Sequence, residues 1–157
     1  MSESKKLFLA GPFKGLVNPD TGLLDEGEKR KWLNLISFFE SKGFTVHNAH
    51  KREEWGGVFM TPEQCTEIDY TEIASCDLFV GFPGSPPSPG THIEIGWASA
   101  LHKPMILLLE EGKEYACLVK GLYTIANVTL ITFSREEDYL KRLESSISAS
   151  SRIQQSS

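Results

Sequence analysis

The chain is expected to fold as an α/β protein, a Rossmann-like (flavodoxin-like) doubly wound sheet of five parallel strands in the order 2-1-3-4-5. Three observations predict it. Short runs rich in Leu, Ile, Val and Phe alternate with stretches of helical periodicity. Several of those runs are apolar without interruption, as strands covered by helices on both faces must be. Loops rich in Gly, Pro and polar residues leave the ends of the first three runs, where sheets of this kind bind ligands.

Lys6-Leu7-Phe8-Leu9-Ala10-Gly11 reads as the first strand, followed by a loop from Gly11 to Gly27 that contains Pro12-Phe13-Lys14-Gly15. A helix follows from about Asp25 to Lys42, with Trp32, Leu33, Leu35, Ile36 and Phe39 at helical spacing and Lys42-Gly43 as its stop. Phe44 to Asn48 is the second strand. The polar, glycine-interrupted stretch from Ala49 to Met60 reads as loop or broken helix. Thr61 caps the next helix, with Pro62 in its first turn, and that helix runs to about Ser75.

Leu78-Phe79-Val80 is the third strand, emptying into a Gly/Pro-rich loop that ends at Ser88-Pro89-Gly90. The helix after it is expected to start near Gly90 or Thr91, to bury Ile95, Ala98 and Leu101, and to stop at Lys103-Pro104. Met105 to Leu109 and Val128 to Phe133 supply the fourth and fifth strands, with a short helix between Gly112 and Leu122. Ser134 caps a last amphipathic helix through Leu143 and Ile147. The sequence reads as one domain over residues 1–157, with 1–5 and the Ser/Gln-rich stretch 148–157 expected to be flexible.

Composition narrows the function. At 157 residues and 40% hydrophobic content the chain can bury a real core. A net charge of −5 argues against nucleic acid as a partner, because neutralising phosphates requires a basic surface. No apolar run approaches the roughly 20 residues of a membrane span, and MSESKK lacks a signal-peptide core, so the expected location is cytoplasmic. Cys65, Cys76 and Cys117 are odd in number and show no CxxC spacing, and they read as reduced thiols. His47, His50, His92 and His102 form no HxH or HxxxH pair, so no metal site is expected.

Strand, glycine loop and helix start bring backbone N–H groups together to meet an anion. Inside that helix mouth stands one carboxylate, Glu94, where the helix dipole favours its ionised form by about 0.3–1 kcal/mol. It reads either as a nucleophile or stabiliser of a positive carbon, or as an acid that caps its own helix. Asp69, on the preceding helix, is either the second member of a glycosidase-type carboxylate pair or a solvated helix acid. Lys14, Ser88, Gly90 and Thr91 form a candidate phosphate site, although Lys14 is equally readable as a surface lysine. The stretch is neither a GxxxxGK[ST] loop nor a GxGxxG fingerprint, so ATP and dinucleotides are poorly supported. Phe13, Trp55 and Phe82 are candidates to stack on a planar base or to fill the core. Asn48, His50 and Arg52 are candidates to contact a base or phosphate, or to form a loop network. Trp97 and His92 are assigned to packing.

In this order, LFLAGPFKGL, NAHKREEWG, the helix carrying Asp69, CDLFVGFPGSPPSPGTHIEIGWASAL and KPMILLLEE resemble the nucleoside 2-deoxyribosyltransferase superfamily over roughly residues 6–143. SPGTHIEIGWA is the most specific part. The motifs look closest to the branch that hydrolyses cytidine 5′-monophosphate or its 5-hydroxymethyl derivative in nucleoside antibiotic pathways. The resemblance implies that Glu94 attacks or stabilises C1′, and that Asp69 assists the departing base or orients the nucleophile. It implies that Ser88, Lys14 and the backbone around Gly90 hold the 5′-phosphate, while Phe8, Gly11 and Phe13 are candidates to contact the sugar or base. Lys14 replaces an arginine usual in the family, and a point charge lacks the bidentate fork. Ala116 stands where some relatives offer a neighbouring subunit's serine to the phosphate. Deoxyribose-specific relatives tend to carry Tyr near the position of Phe8; the missing hydroxyl leaves room for a ribose 2′-OH.

The expected activity is therefore hydrolysis of the N-glycosidic bond of a pyrimidine ribonucleoside 5′-monophosphate. No cofactor is expected, and the assembly expected from relatives is a homodimer. Transfer of the (deoxy)ribosyl group to a second base, hydrolysis of deoxynucleoside monophosphates, cleavage of NAD-type nucleotides and a nucleotide sensor without turnover are the alternatives.

Overall fold

The computed structural model describes residues 4–12, 20, 26–57 and 60–155. Its five strands are β1 (Lys5–Ala10), β2 (Phe44–Asn48), β3 (Leu78–Gly81), β4 (Met105–Glu110) and β5 (Val128–Phe133). They form one sheet in the order β2-β1-β3-β4-β5, with each neighbouring pair parallel. This is the expected order. The helices are α1 (Glu26–Ser41), α2 (Ala49–Arg52), α3 (Pro62–Ser75), α4 (Pro89–Ala100), α5 (Cys117–Lys120) and α6 (Glu136–Gln155).

Side chains alternate along β1 and so divide the core in two. Leu7 and Leu9 join Trp32, Leu35, Ile36 and Phe39 of α1 and Tyr139 and Leu143 of α6. Phe8 and Ala10 join Ile73 of α3, Ile95 and Ala98 of α4, and Val119 of α5. The buried residues of α1 recur at helical spacing, and each contributes on the order of 1.5–3 kcal/mol by leaving water. Helices thus cover both faces of the sheet, which leaves its carboxyl edge for a site. At β1 the chain order reverses, with β2 on one side and β3 on the other, and the helices that follow β1 and β3 pack on opposite faces, the arrangement that opens a crevice at the carboxyl edge.

Element boundaries follow the sequence reading with three differences. Helix α4 starts earlier than the expected Gly90 or Thr91: Ser88 is its cap, and Pro89 occupies its first turn. The broken region after β2 resolves into α2 and a 3₁₀ turn at Glu54–Gly56. The last helix extends past Ile147 to Gln155, since Ala, Ser, Arg and Gln carry no helix-breaking Gly or Pro. Among the described residues no helix is long and apolar enough to cross a membrane.

Candidate active site

Helices α3 and α4 both begin at the carboxyl edge of the sheet and present matching faces to one cavity of about 750 Å³. On α3 the lining positions are Pro62, Cys65, Thr66 and Asp69; on α4, besides Pro89 and Thr91 in its first turn, they are Gly90, Ile93, Glu94 and Trp97. Both sets follow the i, i+3, i+4, i+7 spacing of a single helical face. Two local signals fix where these helices begin. Thr61 accepts from the Gln64 N–H while the Gln64 side chain accepts from the Thr61 N–H, a reciprocal capping box. Ser88 accepts from the Thr91 hydroxyl at 3.0 Å, and its Oγ also faces the Thr91 N–H at 3.5 Å. The Ser88 carbonyl takes a hydrogen bond from His92 Nδ1 at 2.7 Å. A side chain at Gly90 would meet nothing within 4 Å, so the helix mouth is open to a ligand.

Glu94 and Asp69 face each other across this cavity. Burial first, then the charge of Asp69 and a hydrogen bond with it, push the Glu94 carboxyl up to about 9, while Arg52 pulls in the opposite direction. The two carboxyls therefore hold a proton between them at neutral pH. Asp69 is fixed from the other side: Arg52 Nη1 donates to Asp69 Oδ1 at 2.6 Å. Burial disfavours the Arg52 charge, but the hydrogen bond and charge of Asp69 outweigh it, and the guanidinium pKa rises overall. Arg52 Nη1 also lies 2.9 Å from His47 Nε2. A guanidinium can only donate, so this imidazole nitrogen accepts and the ring is neutral. Burial, the largest influence on His47, lowers its pKa accordingly. The His47 ring stacks on Phe8, which stacks in turn on Phe79.

The β1 exit is braced separately. His50 Nε2 donates to the Gly11 carbonyl at 3.2 Å, and its ring packs on Trp32 with centroids 4.5 Å apart. Burial lowers the His50 pKa to about 4, so the ring is neutral. Gly11 is required here, because a Cβ would clash with the Trp32 ring. Asn48 donates to the Leu9 carbonyl and caps α2 by accepting from the Lys51 N–H, each at 3.1 Å.

Of the residues singled out in the sequence, the structure brings Phe8, Gly11, His50, Arg52, Asp69, Ser88, Gly90, Thr91 and Glu94 to the cavity wall. Asn48 stands behind the wall as a brace. Phe82 and Trp55 are not on it: Phe82 packs edge-on against Trp32, Phe133 and Tyr139, and Trp55 packs against the same core. Phe13 and Lys14 lie outside the described residues. Arg52 is committed to Asp69 and His47 rather than left free for a ligand. Glu53, Met60 and Cys65 line the cavity and were not singled out as site residues. Among the described residues no group of His, Cys, Asp and Glu has the arrangement of a metal site.

No protein-family model and no curated protein matches the chain. Solved structures do. The chain is 42% identical to the Clostridium botulinum CMP N-glycosidase BcmB, with a TM-score of 0.68, covering 89% of this chain and 99% of that one. It is 50% identical to BlsM, with a TM-score of 0.75 and coverage of 90% and 88%. A 2-deoxyribosyltransferase from Bacillus psychrosaccharolyticus shares the fold at 20% identity and a TM-score of 0.59, covering 86% of this chain and 90% of that one. The chain therefore belongs to the family of the CMP N-glycosidase BcmB and BlsM, and it shares its fold with the 2-deoxyribosyltransferases.

Proposed function

We propose that this protein hydrolyses the N-glycosidic bond of a pyrimidine ribonucleoside 5′-monophosphate, CMP or 5-hydroxymethyl-CMP, to free base and ribose 5-phosphate. The observation that carries the reading is the facing pair of Glu94 and Asp69, set about one turn below an open helix mouth. A 5′-phosphate and C1′ belong to one small sugar, so a phosphate at Ser88–Thr91 brings C1′ over Glu94. Lys14 would add its charge to the phosphate.

The shared proton serves the chemistry. With the proton on Asp69, the Glu94 carboxylate attacks C1′ as the C1′–N bond breaks, and Asp69 delivers the proton to the departing base. Water then attacks C1′, Asp69 takes its proton, and the Glu94–C1′ bond breaks to release ribose 5-phosphate. Phe8 supports a ribose over a deoxyribose. Its ring is held between His47 and Phe79 and offers no hydroxyl to occupy the sugar's 2′ side.

A chromatographic screen of ribo- and deoxyribonucleoside monophosphates tests this reading. Cytosine or 5-hydroxymethylcytosine is expected from the ribonucleotide. Glu94→Ala is expected to reduce release by at least about 10³-fold. Retained turnover in that variant removes Glu94 from the centre, and a preference for dCMP removes the Phe8 argument. Formation of a new nucleoside when a second base is added favours transfer instead.

A homodimer belongs to the same reading. Leu118, Tyr123 and Ile125, on α5 and the turn after it, are 84%, 63% and 77% exposed, an apolar run suited to a second copy. Sedimentation is expected to give a dimer that Leu118→Asp weakens; a monomeric wild type overturns this part. All three cysteines are unpaired thiols, which supports a cytoplasmic setting.

A further inference from the structure

Glu53 is a buried carboxylate that the chemistry above does not use. It is 6% exposed yet lines the cavity. A buried charge without a partner is costly, so its surroundings should show what it is kept for. Glu53 Oε1 accepts from the Met60 N–H at 3.2 Å and from the Cys65 thiol at 3.5 Å. Burial, then the charge of Glu53, raises the Cys65 pKa and keeps it a thiol donor. Both contacts fall on one oxygen, Oε1. The next two residues, Glu54 and Trp55, have φ of 50° and 57°, a left-handed conformation that non-glycine residues keep only where the surroundings impose it. The turn is therefore held in a costly shape that sets Glu53 at the cavity.

Its place relative to the substrate follows from the two helices. With phosphate at the mouth of α4 and C1′ over Glu94, a base that extends toward the first turns of α3 would meet Cys65 and Thr66 on the cavity wall, where Cys65 and the Met60 N–H both reach Glu53. The 4-position of a pyrimidine lies across the ring from N1, the atom bonded to C1′, and so reaches furthest into this end. A carboxylate oxygen accepts hydrogen bonds and cannot donate them. It pairs with the exocyclic amino group of cytosine and opposes the carbonyl oxygen that uracil carries there.

We propose that Glu53 is a specificity-determining residue that accepts a hydrogen bond from the 4-amino group of the base, selecting cytosine-type over uracil-type nucleotides. This rests on the hydrolase reading for the position of the base, and the test separates the two. Base release by the wild type judges the hydrolase. Binding judges Glu53, measured by calorimetric titration of the turnover-free Glu94→Gln variant with CMP, UMP and the 2-pyrimidinone ribonucleotide that lacks the 4-amino group. CMP is expected to bind about 10²-fold or more tightly than either analogue. Adding Glu53→Gln, whose amide can donate to a carbonyl, is expected to shrink the CMP:UMP ratio at least tenfold. Equal binding of CMP and the 2-pyrimidinone nucleotide overturns the proposal, as does a ratio unchanged by Glu53→Gln. Should the Glu53 variant fail to fold, the difference between CMP and its two analogues still tests the contact.

Discussion

The two walls of the cavity use their polar groups in opposite ways. On the α4 wall, Ser88 accepts from the Thr91 hydroxyl through its Oγ and from His92 Nδ1 through its carbonyl within a single helical turn, and Gly90 leaves the mouth clear. Nothing distant in sequence is needed. On the opposite wall, His47 of β2, Arg52 of α2 and Asp69 of α3 are chained by contacts of 2.9 and 2.6 Å. One wall is a binding surface made by local geometry. The other is an electrostatic assembly that sets the protonation of a group it faces, Glu94. Variants on the second wall should therefore change how the rate depends on pH, and variants on the first should change binding alone.

The largest effect is expected at Arg52. Its charge pulls the Glu94 pKa down against burial and Asp69, and its hydrogen bond fixes the Asp69 carboxyl. Arg52→Gln removes both and leaves the two acids holding their proton more tightly. We expect kcat/KM to fall by about 10²-fold, with the falling limb of the pH–rate profile, where the shared proton is lost, moved to higher pH. A uniform loss with an unmoved profile would make Arg52 a packing residue and erase the distinction between the walls.

That distinction also governs what could be read from the sequence. The strands were legible because β1, β3 and β4 are nearly continuous apolar runs, and α3 because Thr61, Pro62 and Gln64 announce its start. Glu94 stood out as the one acid in an otherwise uncharged helix mouth. Ser88 was not read as the cap of α4, although the Ser-Pro pair places proline in a first turn. The other wall was not legible in this way. Arg52 and Asp69 are 17 residues apart, and no local spacing says that a loop arginine is neutralised by a helix acid rather than left for a phosphate. Glu53 sits next to it in the same loop, and only the fold shows that it is buried and faces the cavity. Phe82 and Trp55 illustrate the converse. An aromatic residue beside a glycine loop suits a base-stacking role and a core role equally, and the packing of Phe82 against Trp32, Phe133 and Tyr139 puts its ring in the core.

A smaller effect is expected at Ser88. Its hydroxyl caps α4 and faces the proposed phosphate, and loss of such a cap costs about 1 kcal/mol. Ser88→Ala is expected to raise KM about tenfold while leaving kcat within about twofold and the limbs of the pH–rate profile in place. A shifted limb would mean that the α4 mouth participates in setting the Glu94 proton, and the two walls would no longer be separable.

The finest test uses stability rather than rate. The Glu94 pKa is raised by folding from 4.5 to about 9, so the folded chain holds a proton that the unfolded chain releases. The native state binds more protons than the unfolded state between those values, and stability therefore falls as pH rises through this window. The contribution is complete below about 4.5 and is lost as pH climbs through about 9. Glu94→Gln replaces the protonated carboxyl by a neutral group of the same shape, whose state does not change with pH. At pH 5 the variant and the wild type should melt within about 2 °C of each other, and by pH 9 the variant should be the more stable, by about 2–4 °C for each kcal/mol of relief. The same scan on Arg52→Gln should steepen the decline, because the cation that opposes the Glu94 shift is gone. Parallel melting curves for wild type and Glu94→Gln across pH 5–9 would show that the proton is not held at Glu94, and the wall bearing Asp69 and Arg52 would lose its assigned control over the wall that faces it.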